Sequence, residues 1–332
     1  MKQMKIALGL MIIGQLFGLT GCMKDTPNGP GGGSTNDQDA IMQMVQTDSL
    51  GEISASDETT INDYGPVFDD FGLQKEATTT RPLRWGRKID NISRHIDVQI
   101  FGDSAAIATI TKTITGSFII AATYQDTGHI ADTIITKPFT ERVQRKIRFH
   151  RVARTEFYER NWIPVAITLV EGSTQPESVN LFTIRSIEYT FPWAKDTVTD
   201  PLNTWLRFGR VINGVPVLRV GDSVEVRLTV VSQDSQAERA VLRYVDVNPL
   251  RLPPFPVLGV RRIKMHLDYT AIGDGDFYIR SYSAKFYGAL GNLLTIGRFH
   301  AVVDVMSHGS LYDDAQPFSN RFWGLPYIVV WR

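Results

Sequence analysis

Only one cysteine, Cys22, occurs in the 332 residues of this chain. A lone cysteine excludes an internal disulfide and a zinc site built from thiolates. The fold must therefore rely on packed apolar cores. Neither sign of charge prevails, because 35 basic side chains balance 35 acidic ones. That balance leaves no electrostatic footprint for nucleic acid, and no sustained basic run is interleaved with aromatic residues. The familiar catalytic signatures are also missing. There is no phosphate-binding glycine loop followed by Lys-Ser/Thr, no dinucleotide fingerprint and no His-Glu-x-x-His. No Gly-x-Ser-x-Gly elbow occurs either. The residues thus name no catalytic group and no cofactor, and the reading leans away from an enzyme.

What the chain does have begins near its first residue. Lys2 and Lys5 precede an apolar run, Ile6–Leu19, broken only by Gln15. This run is shorter than the roughly 20 residues of a spanning helix. A charged start, a short apolar core and small residues before a cut predict a secretory signal peptide over residues 1–21. Leu19-Thr20-Gly21-Cys22 follows the order aliphatic, small, small, cysteine. It resembles the lipobox of bacterial lipoproteins. That resemblance implies that Cys22 is lipidated and becomes the mature amino terminus. Two or more acyl chains anchor stably where one binds only marginally. Met23, rather than an aspartate, after the cysteine implies outer-membrane rather than inner-membrane residence. Lys24-Asp25 resembles the start of a surface-export signal. The expected location is the outer membrane, facing the periplasm or the exterior, with the membrane itself as one partner.

Residues 22–36 carry Pro27, Gly29, Pro30, Gly31, Gly32, Gly33 and Ser34. Such a composition predicts a flexible tether. A capping-box pattern at Thr35-Asn36-Asp37-Gln38, then Ile41, Met44 and Val45 at helical spacing, predicts a helix over 37–48. The stretch to Leu73 is less regular, with room for further short helices. Ile96, Val98 and Ile100 alternate with polar residues up to the Gly102-Asp103 turn. Ala106, Ala108 and Ile110 resume the alternation, which predicts a long hairpin. Val143, Ile147 and Phe149 continue the pattern, and two more strands follow at Trp162–Val170 and Val179–Tyr189. Helices first and an antiparallel sheet after predict an α+β domain over 37–192. The early helix, the Ile100–Ala105 turn and the Arg148-Phe149-His150-Arg151 strand preceding Trp162 resemble the nuclear-transport-factor-two-like, or SnoaL-like, cone fold. An all-β domain with a helical preface is the alternative.

Beyond a boundary near Phe191–Pro201 the pattern is almost purely β. Val224, Val226, Leu228 and Val230 alternate with polar residues, as do Ile263, Met265, Leu267 and Tyr269. Short strands separated by turn signals predict a β-sandwich over 200–332, with the immunoglobulin-like form favoured. The expected fold class is therefore mainly β with an N-terminal helical part: a cone-like α+β domain, then an immunoglobulin-like sandwich.

The candidate sites follow from these placements. Tyr64, Trp85, His95, Arg145 and His150 are the candidate lining of a small-molecule pocket inside the cone. Phe322, Trp323 and Tyr327 are a candidate surface patch, because exposed aromatics stack on sugars or anchor a protein partner. Asp274, Asp276, Asp313 and Asp314 offer hard oxygen ligands for calcium, although no twelve-residue loop motif surrounds them and no metal site is assigned. His266 and His300 are expected on polar strand faces. From Asp25 to Gln74 every charged residue is acidic, while Arg142, Arg145, Lys146, Arg148, Arg151 and Arg154 make the later stretch basic. Such runs ordinarily mark solvated faces. The functional expectation is a lipid-anchored, non-catalytic envelope protein that binds a protein partner or a glycan. The alternative is a small-molecule-binding or enzymatic cone domain on the same anchor.

Overall fold

The computed structural model describes residues 36–46, 63–66, 80–125, 130–208, 214–247, 258–288 and 297–330. Of 63–66, 245–247, 258–260 and 297–298 it describes the backbone alone. The expected signal peptide and tether, up to Thr35, lie outside the described residues. The described residues belong to one compact unit.

The first element is α1 (Asp37–Gln46). Its cap is Asn36, one residue later than the sequence pattern suggested. The Asn36 Oδ1 accepts the Asp39 amide at 2.9 Å, and its Nδ2 donates to the Asp39 carboxylate at 3.1 Å. This is the reciprocal logic of a capping box. Ala40, Ile41 and Val45 are the buried stripe. A strand, β1 (Asp63–Pro66), lies in the stretch where short helices were expected.

Three long strands follow: β2 (Arg81–Phe101), β3 (Ala105–Thr123) and β4 (Thr133–Arg151). Gly102, at φ 57°, makes the turn between β2 and β3. Every even-numbered residue of β3 from Ala106 to Ala122 points inward, the period-two signature of a half-buried strand. The chain continues through β5 (Trp162–Thr168), β6 (Val170–Thr174), β7 (Phe182–Thr190), β8 (Lys195–Val198), β9 (Trp205–Arg207), β10 (Val217–Arg219), β11 (Ser223–Ser232) and β12 (Arg239–Val247). Then come β13 (Leu258–Lys264), β14 (His266–Ile272), β15 (Tyr278–Tyr287), β16 (Gly297–Met306), the short helix α2 (His308–Tyr312) and β17 (Asn320–Val330).

These strands form two sheets. The larger runs β1-β2-β3-β4-β6-β17-β16-β12-β13, with β5, β9 and β10 paired alongside; the smaller runs β14-β15-β11-β7-β8. The inner face of β11 (Val224, Val226, Leu228 and Val230) shares a core with Leu242, Ala301, Val303 and Leu325 of the larger sheet. Phe286 of β15 meets Tyr244 and Tyr327 across that gap, at 5.5 and 5.4 Å between ring centroids. The chain is thus mainly β, with two antiparallel sheets packed face to face. The larger sheet also curls. Arg262 of β13 lies 4.3 Å from the ring centroid of Trp85 on β2, so the ends of the strand order approach one another.

Curling gives β3 two neighbours for one face. Near its start, Ala106, Ala108 and Ile110 share a core with Ile41 and Val45 of α1. Farther along, Ile114, Phe118 and Ile120 join a second core with Trp85, Phe139, Phe318 and Phe322. The pairings also cross the expected 192–200 boundary. β6 pairs with β17 and β7 with β11, so residues before and after it share both sheets. The expected strand through Ile263 and Tyr269 breaks at buried Met265, where the chain leaves one sheet for the other.

Candidate functional site

The five expected pocket residues do not converge. Trp85 and His95 sit ten positions apart on β2, or about 33 Å along a strand. Trp85 is packed against Phe118, 5.5 Å between centroids, in the second core. Arg145 is buried, while His95 and His150 face solvent. The backbone of Tyr64 lies opposite Gly86; its side chain lies outside the described residues. The physical reason is strand length. Residues on one long hairpin share a sheet without sharing a place.

The expected aromatic patch is corrected as well. Phe322, Trp323 and Tyr327 are all buried. β17 is a central strand with both faces covered, so Trp323 and Tyr327 enter the inter-sheet core while Phe322 enters the second core. A strand buried on both faces has no solvent side for its aromatics. The four candidate calcium ligands do not assemble. Asp274 and Asp276 lie in the β14–β15 turn, whereas Asp314 accepts a hydrogen bond from Tyr124 at 3.1 Å. No group of three or more metal-binding side chains occurs among the described residues.

A buried charge cluster stands where the sequence suggested none. Arg87 on β2 reaches Asp304 on β16 at 2.8 Å and Glu141 on β4 at 3.5 Å. Arg243 on β12 lies 3.5 Å from Asp304. Asn320 donates to Asp304 at 3.2 Å and accepts from Thr174 at 2.6 Å. Burial alone would raise the Asp304 carboxyl, but Arg87, Arg243 and the Asn320 hydrogen bond outweigh it and hold it below the usual carboxylate range. Glu141 goes the other way, since burial raises it by more than Arg87 lowers it. The signal that could have revealed the cluster is Asp304 itself, a carboxylate inside the apolar run Ala301–Met306. Its arrangement ties β2, β4, β12, β16 and β17 together across the curl.

Two further polar groups are built into the core. Arg280 bonds Glu238 at 2.8 Å and the carbonyls of Asp234 and Ser235, and Tyr282 donates to Glu238 at 2.9 Å. Lys137 donates to the carbonyls of Gly309, Ser310 and Asp313, which fixes α2 against β4. Burial lowers Lys137 to about 8, against the raising pull of Asp313 and Asp314. Between the two cores, burial lowers Lys112 to about 8, with Arg145 adding to it, and lowers Arg145 itself to about 9.

His300, expected on a polar face, is buried beside Ile167, Phe208, Val215 and Tyr327 around a cavity of about 20 Å³. That space is water-sized. Burial lowers its imidazole to about 4.

Exposed groups concentrate elsewhere. All seven residues of β14 are exposed, including Leu267, Tyr269 and Ile272. Among the described residues β14 pairs only with β15. A second exposed set, Ile100, Phe101, Val152, Phe157 and Ile163, lies at the β2–β3 turn. No protein-family model, curated protein or solved structure matches the chain.

Proposed function

We propose that this chain is an exported, lipid-anchored cell-envelope protein, held at the outer membrane through Cys22, whose β body binds another protein. The observation that carries the binding role is β14, exposed at every position and paired on one side only among the described residues. An open strand edge presents backbone donors and acceptors that another extended segment can satisfy. Natural edges are usually blunted by lysine, proline or inward charge. β14 has neither lysine nor proline; its pairing with β15 is interrupted by one bulge, at Asp268, whose carboxylate accepts from Ser283 at 2.8 Å, and Tyr269–Ile272 beyond it run in regular register. Leu267, Tyr269 and Ile272 supply apolar side chains beside the edge. A glycan is the less supported partner, because the aromatics proposed to stack on it are buried. The small-molecule alternative loses support for a similar reason, since its residues are dispersed along the long strands.

The cone-like reading of the first part is supported by α1 lying against the long β2–β3–β4 meander. The immunoglobulin-like reading of the second is supported by four crossings between the facing sheets, at β10–β11, β11–β12, β13–β14 and β15–β16.

The test is a photo-reactive residue at position 269 in intact cells. The expected result is an adduct with an envelope protein that disappears when Leu267 and Ile272 become lysine. An adduct that survives those charges, or none at all, removes β14 as the binding edge. An adduct of twice the chain's own mass identifies the partner as a second copy.

A further inference from the structure

The chain enters the body at one end of the long hairpin. Asn36 caps α1, and Asp37 in its first turn accepts the Trp162 indole N–H at 2.9 Å and pairs with Arg151. Arg151 in turn donates its amide to Ser104, in the β2–β3 turn, at 2.9 Å. The root of α1 is therefore fastened beside that turn.

The same end carries five exposed apolar side chains. Phe101, Ala105, His150 and Ile163 form one row across β2, β3, β4 and β5. Ile100 adjoins the row. The amide of Val152 bonds the Asn161 carbonyl at 2.7 Å, which closes the intervening loop with Phe157 in it, and Arg154 of that loop reaches Asp103 of the turn. Ile100, Phe101, Val152, Phe157 and Ile163 are each 40–57 % exposed. Charges around them balance. Arg148, Arg151, Arg154 and Arg160 stand against Asp37, Asp103, Glu156 and Glu159, with Arg154 on Asp103 at 3.0 Å. Arg160 lies over the Phe157 ring at 5.0 Å. An apolar tip rimmed by long cationic side chains suits a headgroup interface, where arginine keeps its charge in water while its stem and the rings sit lower.

The tether decides which surface this tip meets. Thirteen residues lie between Cys22 and Asn36. A chain of that length reaches at most about 50 Å when fully extended. An anchor at Cys22 holds the root of α1, and hence the tip, within that reach of the bilayer. At such a distance the local concentration makes even a weak apolar contact effective.

We propose that this end of the body inserts Phe101, Phe157 and Ile163, with Ile100 and Val152, into the headgroup region of the bilayer that carries the anchor. The inference rests on the lipid-anchor reading above. The mode is apolar insertion, because the surrounding charges cancel.

The experiment uses the full lipidated chain in vesicles of phosphatidylethanolamine and phosphatidylglycerol. Cys22 is the only cysteine and is occupied by lipid under this reading. A Phe157→Cys variant therefore carries one free thiol, which takes an environment-sensitive fluorophore. Ile163→Cys gives a second reporter on a strand, independent of the loop. Ile134→Cys is the control, exposed near the far end of β4, about 50 Å away along the strand. Nitroxide-labelled lipid should quench positions 157 and 163 about threefold or more above position 134, and 1 M salt should leave the difference unchanged, as apolar burial predicts. Equal quenching at all three positions in vesicle-bound protein, or a difference abolished by salt, overturns the insertion and leaves the anchor intact. Protein that does not float with the vesicles overturns the anchor, and the insertion with it.

Discussion

Asp304 sits at the centre of the buried charges, within reach of Arg87, Arg243 and Asn320. Removing one partner of a buried pair leaves uncompensated charge, which costs about 3–5 kcal/mol. Asp304→Asn should lower unfolding stability by that amount in a urea titration; a loss under about 1 kcal/mol would mean that the cluster is not a structural tie. His300 makes the pH prediction. Its folded value, about 4, lies below its ordinary 6.5 because burial disfavours the cation. The unfolded chain therefore binds a proton first as pH falls. The contribution of His300 is whole above pH 6.5 and is lost as pH drops towards 4, on the order of 3 kcal/mol. Asp304, held low, is lost only at more acid pH. Glu141, held high, acts in the opposite sense, because its protonation favours the fold as pH falls. His300→Phe should flatten the decline in melting temperature between pH 6.5 and 4, and an unchanged slope would contradict the assignment. Apart from Asp304 standing inside an apolar run, none of this was legible in the sequence. Alternation gives the side of a strand, but β16 is covered on both sides, so the side opposite the apolar stripe is not solvent.

At the scale of elements, α1 depends on Asp37 as well as on its own short apolar stripe. Ten residues are too few for a stable isolated helix. The Asp37 bonds to Trp162 and Arg151 fasten its first turn to β4 and β5. Asp37→Ala should speed amide hydrogen exchange in 37–46 by tenfold or more, equivalent to about 1.4 kcal/mol, while β11 and β16 exchange as before. Equal exchange in both proteins would place the fastening elsewhere. The helix and the strands were legible because their periods are clean: Ile41 with Val45 at helical spacing, even residues of β3, and Val224 to Val230 of β11. The break at Met265 was not, because alternation runs through Ile263, Met265 and Leu267 without a mark. Its amide bonds the Ala240 carbonyl at 3.0 Å as the strand changes sheet. The pattern records which way side chains face, not which strand lies alongside.

The whole molecule poses the same distinction. A mainly β chain could be read from turn spacing and alternation, whereas sheet membership could not. The pairings of β6 with β17 and β7 with β11 join residues more than a hundred and 35–50 positions apart. Candidate sites suffered most, since convergence is a property of pairing and curl. Trp85 met Arg262 rather than His95. The anchor is the one functional feature read from local order alone, and the roles proposed for β14 and for the hairpin tip both assume it. Intact-mass and peptide mass spectrometry of protein taken from membranes tests it most directly. The account predicts a first residue at Cys22 carrying the mass of acyl chains. A terminal peptide that runs through Gly21 into an unmodified Cys22, from protein that washes freely into buffer, would contradict it.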